Sequence, residues 1–190
     1  SQDGSAVIIL DQTRLPRFEV YVSLSSAEEV WEAIYKLKVR GAPAIGIAAA
    51  YGIYVCSRLI VANTYDSFYS EFLRMKDYLA LDRMEKVVVT HSMKPVPEIV
   101  DLLRVESEAI RAEDAAACRK IGENCLSLLR PGMGILTHCN AGHLAVSEYG
   151  TALAPVYLGE ERGYGFKVFA DETRPLLQGA RLTAYELQKA

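Results

Sequence analysis

A change from apolar to polar residues occurs within one short stretch, Gly134-Ile135-Leu136-Thr137-His138-Cys139-Asn140-Ala141-Gly142-His143. Its first half is apolar and β-branched, which predicts a buried strand. Its second half is small and polar, which predicts a turn, and Cys139 lies where the strand gives way to the turn. Ligands of open α/β sheets bind beyond the carboxyl ends of the strands. A thiol beside the backbone N–H groups of such a turn can become reactive, so Cys139 is the first candidate for chemistry.

Strands and helices alternate in the part of the chain that follows residue 130. The pattern predicts a strand at 135–137, a helix near 149–158, a strand at 166–170 and a helix from about Gly179 onward. This β-α-β-α order is typical of a parallel, Rossmann-like sheet. Pro131 and Gly132 end the preceding helix, so we expect an N-terminal domain over 1–130 and a Rossmann-like domain over 131–190. Two parallel strands make a poor sheet, so the second domain is expected to be truncated.

The first half of the chain opens with two strand patterns, at 6–10 and 18–22, which predict a small antiparallel sheet. Helices follow: one begins at a capping box of Ser26 and Glu29, and another runs over about 98–130. Residues 83–90 fit either a helix end or a strand. The predicted fold class is therefore α/β, with an N-terminal α+β domain ahead of the Rossmann-like domain.

Composition excludes several classes of protein. The 190 residues are 51% hydrophobic with a net charge of −3 and no basic stripe, so nucleic acid is not expected as a partner. The uncharged run 42–57 is shorter than the ~20 residues that cross a bilayer and contains glycine and proline. The four cysteines form no C-x-x-C pair, and the first residues do not resemble a signal peptide. We therefore expect a cytoplasmic protein with reduced thiols and no membrane contact.

A second candidate site lies at the start of the uncharged helix. Pro43 suits the first turn of a helix, and Arg40 and Gly41 precede it. Unsatisfied N–H groups and the helix dipole favour an anion at such a terminus. The alternative is a tight turn between two helices with an exposed arginine, and the spacing alone favours neither.

Polar residues also follow the second strand of the Rossmann-like half, from Asp171 to Gln178. Adjacent parallel strands would bring this cluster and the Cys139 cluster to one sheet edge, where they suit a small phosphorylated or polyhydroxylated ligand. Three alternatives remain for Cys139. A zinc site with His138 and His143 lacks standard spacing; a Cys–His nucleophile is possible; and a cysteine at a strand end is often only packing.

Four blocks of sequence resemble those of a known family. They are VRGAPAIG at 39–46, THCNAG at 137–142, YGTAL at 149–153 and ETRPLLQGARLTAYEL at 172–187. The chain resembles the methylthioribose-1-phosphate isomerases. These share a superfamily with the ribose-1,5-bisphosphate isomerases and the regulatory subunits of translation initiation factor 2B. Cys139 and Gln178 favour the isomerase branch.

The resemblance implies conversion of 5-methylthioribose 1-phosphate to 5-methylthioribulose 1-phosphate in methionine salvage, by a homodimer without a cofactor or catalytic metal. It implies that Cys139 is the catalytic thiol and that Arg40, Gly41, Ala42 and Gln178 bind the sugar phosphate. A ribose-1,5-bisphosphate isomerase and a non-catalytic initiation-factor subunit remain the alternatives.

Two features that the resemblance implies have no counterpart in these 190 residues. The family's catalytic aspartate would lie on a strand beyond residue 190, and Asp171 does not match it. A substrate-lining stretch of the type S-x-R-P-T-A-x-N-L is missing where 78–80 runs into 81–84. We expect a missing loop and a C-terminal truncation. A molecule of these 190 residues alone, with a mass near 21 kDa, is expected to be inactive.

Overall fold

A computed structural model describes residues 1–79 and 81–190 of the chain. Ala80, at the point where the substrate-lining stretch is missing, lies outside the described residues. The elements run in the order β1 (Val7–Leu10), β2 (Tyr21–Leu24), α1 (Ala27–Tyr35), α2 (Ala42–Ser57), α3 (Tyr65–Lys76), α4 (Asp82–Thr90), α5 (Val96–Leu126), β3 (Gly134–His138), α6 (Ala154–Glu161), β4 (Lys167–Asp171) and α7 (Ala184–Lys189). The predicted α/β class, with a small antiparallel sheet and a parallel pair of strands, is confirmed.

Contacts divide the chain into two compact units. The first comprises residues 1–11, 20–39 and 45–111, and the second comprises 12–19, 40–44 and 112–190. The domain boundary expected between residues 130 and 131 stays a prediction.

The first unit contains the antiparallel pair β1 and β2, with Val7 opposite Leu24 and Leu10 opposite Tyr21. The second strand begins three residues later than the alternation at 18–22 predicted. Ser26 caps α1 and Glu29 reaches back to the Ser26 N–H, so the predicted capping box is confirmed. Residues 83–90, which the sequence left ambiguous, belong to helix α4. The large side chains with almost no exposure in this unit are Val30, Ile53, Phe68, Phe72, Met84, Val88, Ile99 and Leu103.

The second unit contains the parallel pair β3 and β4, in a register that places Gly134 opposite Lys167 and His138 opposite Asp171. On one face, Ile135 and Val168 pack against a cluster that includes Leu153, Val156 and Tyr157. Because the two strands run parallel and in register, both end at the same edge of the sheet with their last residues paired. This edge carries the polar clusters that the sequence predicted.

Two helix boundaries in the second unit differ from the predictions. The helix expected near 149–158 begins only at Ala154, because Tyr149 and Gly150 have φ of 61° and 85°, values that an α-helix cannot contain. The helix expected from Gly179 starts as a wide turn over Gly179–Thr183 and becomes α-helical at Ala184.

Helix α2 is buried along most of its length, but Ala42 and Pro43 in its first turn are exposed. Burial on every side, which its apolar composition predicted, therefore applies to the later turns. In the described part of the chain, no helix combines the length and the apolar character needed to cross a membrane.

Candidate functional site

The candidate site is built entirely from residues of the second unit and begins at the end of β3. Cys139, half-buried, follows the last strand residue and has φ of 65°, in the left-handed region. Such a conformation costs a non-glycine residue roughly 1–3 kcal/mol and is common at functional sites. The Thr183 hydroxyl donates a hydrogen bond of 2.5 Å to the Cys139 carbonyl oxygen. Thr183, at the end of the wide turn that precedes α7, thus holds the turn that carries the thiol.

Asn140 is the buried centre of a hydrogen-bond network. Its Oδ1 accepts from Arg40 Nη2 at 3.1 Å. Its Nδ2 donates to Glu186 Oε1 at 2.7 Å and to Thr183 Oγ1 at 3.2 Å. The network therefore links the arginine that precedes α2 to the residue that follows Cys139, which are 100 positions apart in the chain.

Arg40 is half-buried, and this burial lowers the pKa of its guanidinium, while the charge of Glu186 acts in the opposite direction. The group is a strong cation in any case. Gly41, the next residue, has φ of 93°, and a Cβ there would lie 2.4 Å from the Ala145 carbonyl oxygen. Glycine at this position lets the start of α2 approach the turn after Cys139. Arg40 is half-buried and bonds to Asn140, so it is not the exposed arginine of the tight-turn interpretation. Ligand binding by this segment stays a prediction.

Glu186 is a site residue that the sequence analysis did not select. It lies on α7, is 6% exposed, and accepts from Asn140 Nδ2 and from the Leu144 N–H at 3.1 Å. Burial raises the pKa of its carboxyl from 4.5 to about 7, although these hydrogen bonds and Arg40 lower it. A sequence signal existed: Glu186 follows Thr183 by three residues and Leu182 by four, so a helix places all three on one face.

The two histidines beside Cys139 have other partners. His138 Nδ1 lies 3.0 Å from Asp171 Oδ2, across the register of the two strands. That hydrogen bond lowers the pKa of the Asp171 carboxyl. His143 Nδ1 accepts from the Tyr149 N–H at 3.1 Å, and its ring meets Tyr157 edge-on. These contacts argue against a Cys–His pair and against a shared metal site. Among the described residues, no group of three or more His, Cys, Asp or Glu side chains could hold a metal ion.

Gln178 lies in the loop after β4, at the predicted sheet edge. The Thr173 hydroxyl donates to its side-chain oxygen, and its own N–H donates to Thr173 Oγ1 at 3.1 Å. The next two N–H groups, of Gly179 and Ala180, donate to the Glu172 carboxylate at 2.8 and 3.1 Å. The Glu172 carboxylate therefore already occupies this helix start. The contacts of the Gln178 side chain run to Thr173, so its assignment as a substrate-binding residue stays a prediction.

A sequence profile of the Initiation factor 2 subunit family matches residues 38–190, which contain every residue of this site. The chain belongs to the Initiation factor 2 subunit family.

Curated relatives in the family are named as isomerases. A methylthioribose-1-phosphate isomerase from Parabacteroides distasonis is 67% identical over all of this chain and 60% of its own length. A 5-deoxyribose 1-phosphate isomerase from Petrotoga mobilis is 55% identical over 97% of this chain and 56% of its own length. The chain thus spans little more than half the length of these relatives. The first alignment covers 202 positions against 190 residues here, so that relative has internal residues this chain lacks. Whether they lie at the stretch expected between 78–80 and 81–84 stays a prediction.

Two solved structures share the fold. The 5-methylthioribose 1-phosphate isomerase from Pyrococcus horikoshii superposes with a TM-score of 0.92 at 37% identity, over 97% of this chain and 55% of that one. Subunit delta of translation initiation factor eIF-2B from A. fulgidus superposes with a TM-score of 0.89 at 36% identity, over 97% of this chain and 59% of that one. The fold is therefore common to proteins named as enzymes and proteins named as initiation-factor subunits, and the site has to distinguish them.

Proposed function

We propose that this chain is the substrate-binding and thiol-bearing part of an aldose–ketose isomerase, which converts 5-methylthioribose 1-phosphate to 5-methylthioribulose 1-phosphate in methionine salvage. One observation carries the proposal: Arg40 donates to Asn140, the residue after Cys139, so the guanidinium is held at the turn that carries the thiol and interacts with it electrostatically. The names of the relatives and of the first solved structure support the same reaction.

The phosphate is assigned to the start of α2. Arg40 supplies a guanidinium, whose forked donors suit phosphate oxygens. The N–H groups of Gly41 and Ala42 and the dipole of the 16-residue helix α2 add further attraction for an anion. Gln178, in the loop after the neighbouring strand, is assigned to the sugar hydroxyls, to which an amide can both donate and accept.

Cys139 is assigned to the reacting carbons. A phosphate on the anomeric oxygen prevents the ring from opening as a free sugar does, so an acid must protonate the ring oxygen as its bond to C1 breaks. The hydrogen on C2 then moves to C1, and the C2 hydroxyl loses its proton as the ketone forms. A thiol near C1 and C2 can hold or move a proton in either half of this exchange.

The proposal is tested by turnover of 5-methylthioribose 1-phosphate, with the protein used at its full natural length. Cys139→Ala and Cys139→Ser should abolish turnover, because each removes the thiol. Cys125→Ala, at a cysteine of the long helix α5, is the matched control and should keep wild-type activity. Equal activity in the Cys139 variants would overturn the assignment.

The same assay separates the alternatives. Ribose 1,5-bisphosphate and 5-deoxyribose 1-phosphate differ from the proposed substrate only in the group on C5, so their relative kcat/KM values identify the preferred substrate. A non-catalytic initiation-factor subunit, which the second solved structure favours, would convert none of the three.

The remaining assignments follow from the same proposal. We assign a homodimer and no cofactor, because the family resemblance implies both. We assign a cytoplasmic location, because the four cysteines are free thiols. Sedimentation of the natural protein tests the homodimer.

A further inference from the structure

The carboxylate of Glu186 has both oxygens engaged by one segment of chain. Oε1 accepts from the Asn140 side chain at 2.7 Å, and Oε2 accepts from the Leu144 N–H at 3.1 Å. Gly142, between them, lies so close that a Cβ there would be 1.8 Å from Oε1. Glu186 thus holds the turn after Cys139 at two points, and no side chain separates it from the backbone of that turn.

The contact with Asn140 also sets the direction of that side chain. An amide has a donor end and an acceptor end. Because Glu186 accepts from the donor end, the oxygen of Asn140 faces Arg40 and accepts from Nη2. When Glu186 is protonated, one of its two oxygens becomes a hydroxyl, which donates a hydrogen bond, and only the carbonyl oxygen remains as a strong acceptor. One of the two bonds is then lost, and with it the fixed position of Asn140 or Leu144.

We infer that Glu186 is a positioning residue, whose ionised carboxylate holds the 139–144 turn so that Arg40 and Cys139 are presented together to a sugar phosphate. This inference rests on the proposed function for the identity of the ligand. Glu186 acts through Asn140 and Leu144, because both of its oxygens are occupied by the protein and its side chain is buried.

Protonation of Glu186 should therefore release the turn. The titratable side chains that interact electrostatically with Glu186 are Arg40, ahead of α2, and Tyr157, on α6. Arg40 favours the carboxylate, whereas the pKa of Tyr157 is raised by burial and by the charge of Glu186, so Tyr157 remains neutral. The pKa of about 7 for Glu186 lies within the pH range in which enzyme activity can be assayed. The turnover rate should depend on pH with a midpoint near that value.

The first test measures the environment of the Leu144 N–H in the turn and needs no substrate. Selective labelling of the His143–Leu144 peptide gives the Leu144 N–H signal by NMR in the natural-length protein. Its shift should titrate with a midpoint near pH 7 in the wild type and stay flat in Glu186→Gln. Glu161→Gln, at an exposed residue of α6, is the control and should titrate as the wild type does. A flat wild-type signal, or a titration that survives in Glu186→Gln, would overturn the inference.

The second test reads the consequence for the reaction. Wild-type kcat/KM for 5-methylthioribose 1-phosphate should fall about tenfold between pH 8 and pH 6, the ratio for one essential ionised group with a midpoint near 7. Glu186→Gln should be low and flat over that range, and Glu186→Asp, which keeps the charge, should recover the pH dependence. A general loss of stability would lower activity at all pH values without removing that dependence. An inactive wild type whose Leu144 signal still titrates would reject the proposed substrate and retain the positioning role.

Discussion

Replacing Glu186 with glutamine should change how the stability of the protein depends on pH. The folded protein raises the pKa of this carboxyl from 4.5 to about 7, so it holds the proton more tightly than the unfolded chain does. Unfolding therefore releases a proton between these two values, and the free energy of unfolding falls as pH rises through this window. The contribution of Glu186 is complete below about pH 4.5 and is lost above about pH 7.

The size of the effect follows from the shift. One pKa unit corresponds to about 1.4 kcal/mol, so a shift from 4.5 to about 7 is worth about 3–4 kcal/mol in total. Between pH 5 and pH 8 the wild type should lose about 2–3 kcal/mol that Glu186→Gln does not lose. The conversion applies because the side chain is only 6% exposed, and screening by solvent is therefore small.

The assay is urea unfolding at pH 5 and at pH 8, followed by circular dichroism, for the wild type, Glu186→Gln and the exposed control Glu161→Gln. Other titrating groups contribute equally to all three proteins, so the difference between the two pH values isolates residue 186. A constant cost of the substitution also cancels. If Glu186→Gln lost as much stability as the wild type between pH 5 and pH 8, the argument that Glu186 is buried with a raised pKa would be wrong.

Three further substitutions test the packing of the site and its affinity for the sugar phosphate. Thr183→Val removes a buried hydroxyl that bonds to the Cys139 carbonyl and should cost about 1–3 kcal/mol in urea unfolding. Gly150→Ala should cost about 1–3 kcal/mol more than Gly163→Ala: both glycines have positive φ, but a Cβ at 150 would lie 2.4 Å from a carbonyl oxygen, whereas 163 is open; thermal unfolding of the pair measures this. Arg40→Lys keeps the charge and loses the planar fork, so KM for the sugar phosphate should rise about tenfold with a smaller change in kcat.

The local features of this fold are the ones that the sequence predicts. Alternation and β-branched residues predict the positions of the four strands, and Ser26 with Glu29 predicts the start of α1, because these signals act over a few neighbouring residues. The burial predicted for the strand at 135–137 is wrong, since Leu136 is 74% exposed. The position of Cys139 at a strand end is predicted for the same reason. The start of α6 at Ala154, rather than near Tyr149, is not, because it depends on the left-handed φ of Tyr149 and Gly150, which holds those two residues out of the helix.

The contacts that assemble the site could not be predicted from pattern. Arg40 and Asn140 meet across 100 residues, and Asn140 and Glu186 across 46. Each partner looks ordinary in its own segment: an arginine at a helix junction, an asparagine in a turn, a glutamate in a helix. Only tertiary packing buries Glu186 and raises its pKa, so its importance becomes visible once the carboxylate is seen against Gly142 and the Leu144 N–H.

The most direct test of the proposed reaction and of the Cys139 thiol is 13C NMR of the natural-length protein with 5-methylthioribose 1-phosphate labelled at C2. We expect the C2 signal to move from the carbinol region to the ketone region with the wild type and with Cys125→Ala, and to stay in place with Cys139→Ala. A ketone signal that forms equally fast with Cys139→Ala would contradict the role of the thiol. No ketone signal with the wild type would contradict the proposed reaction.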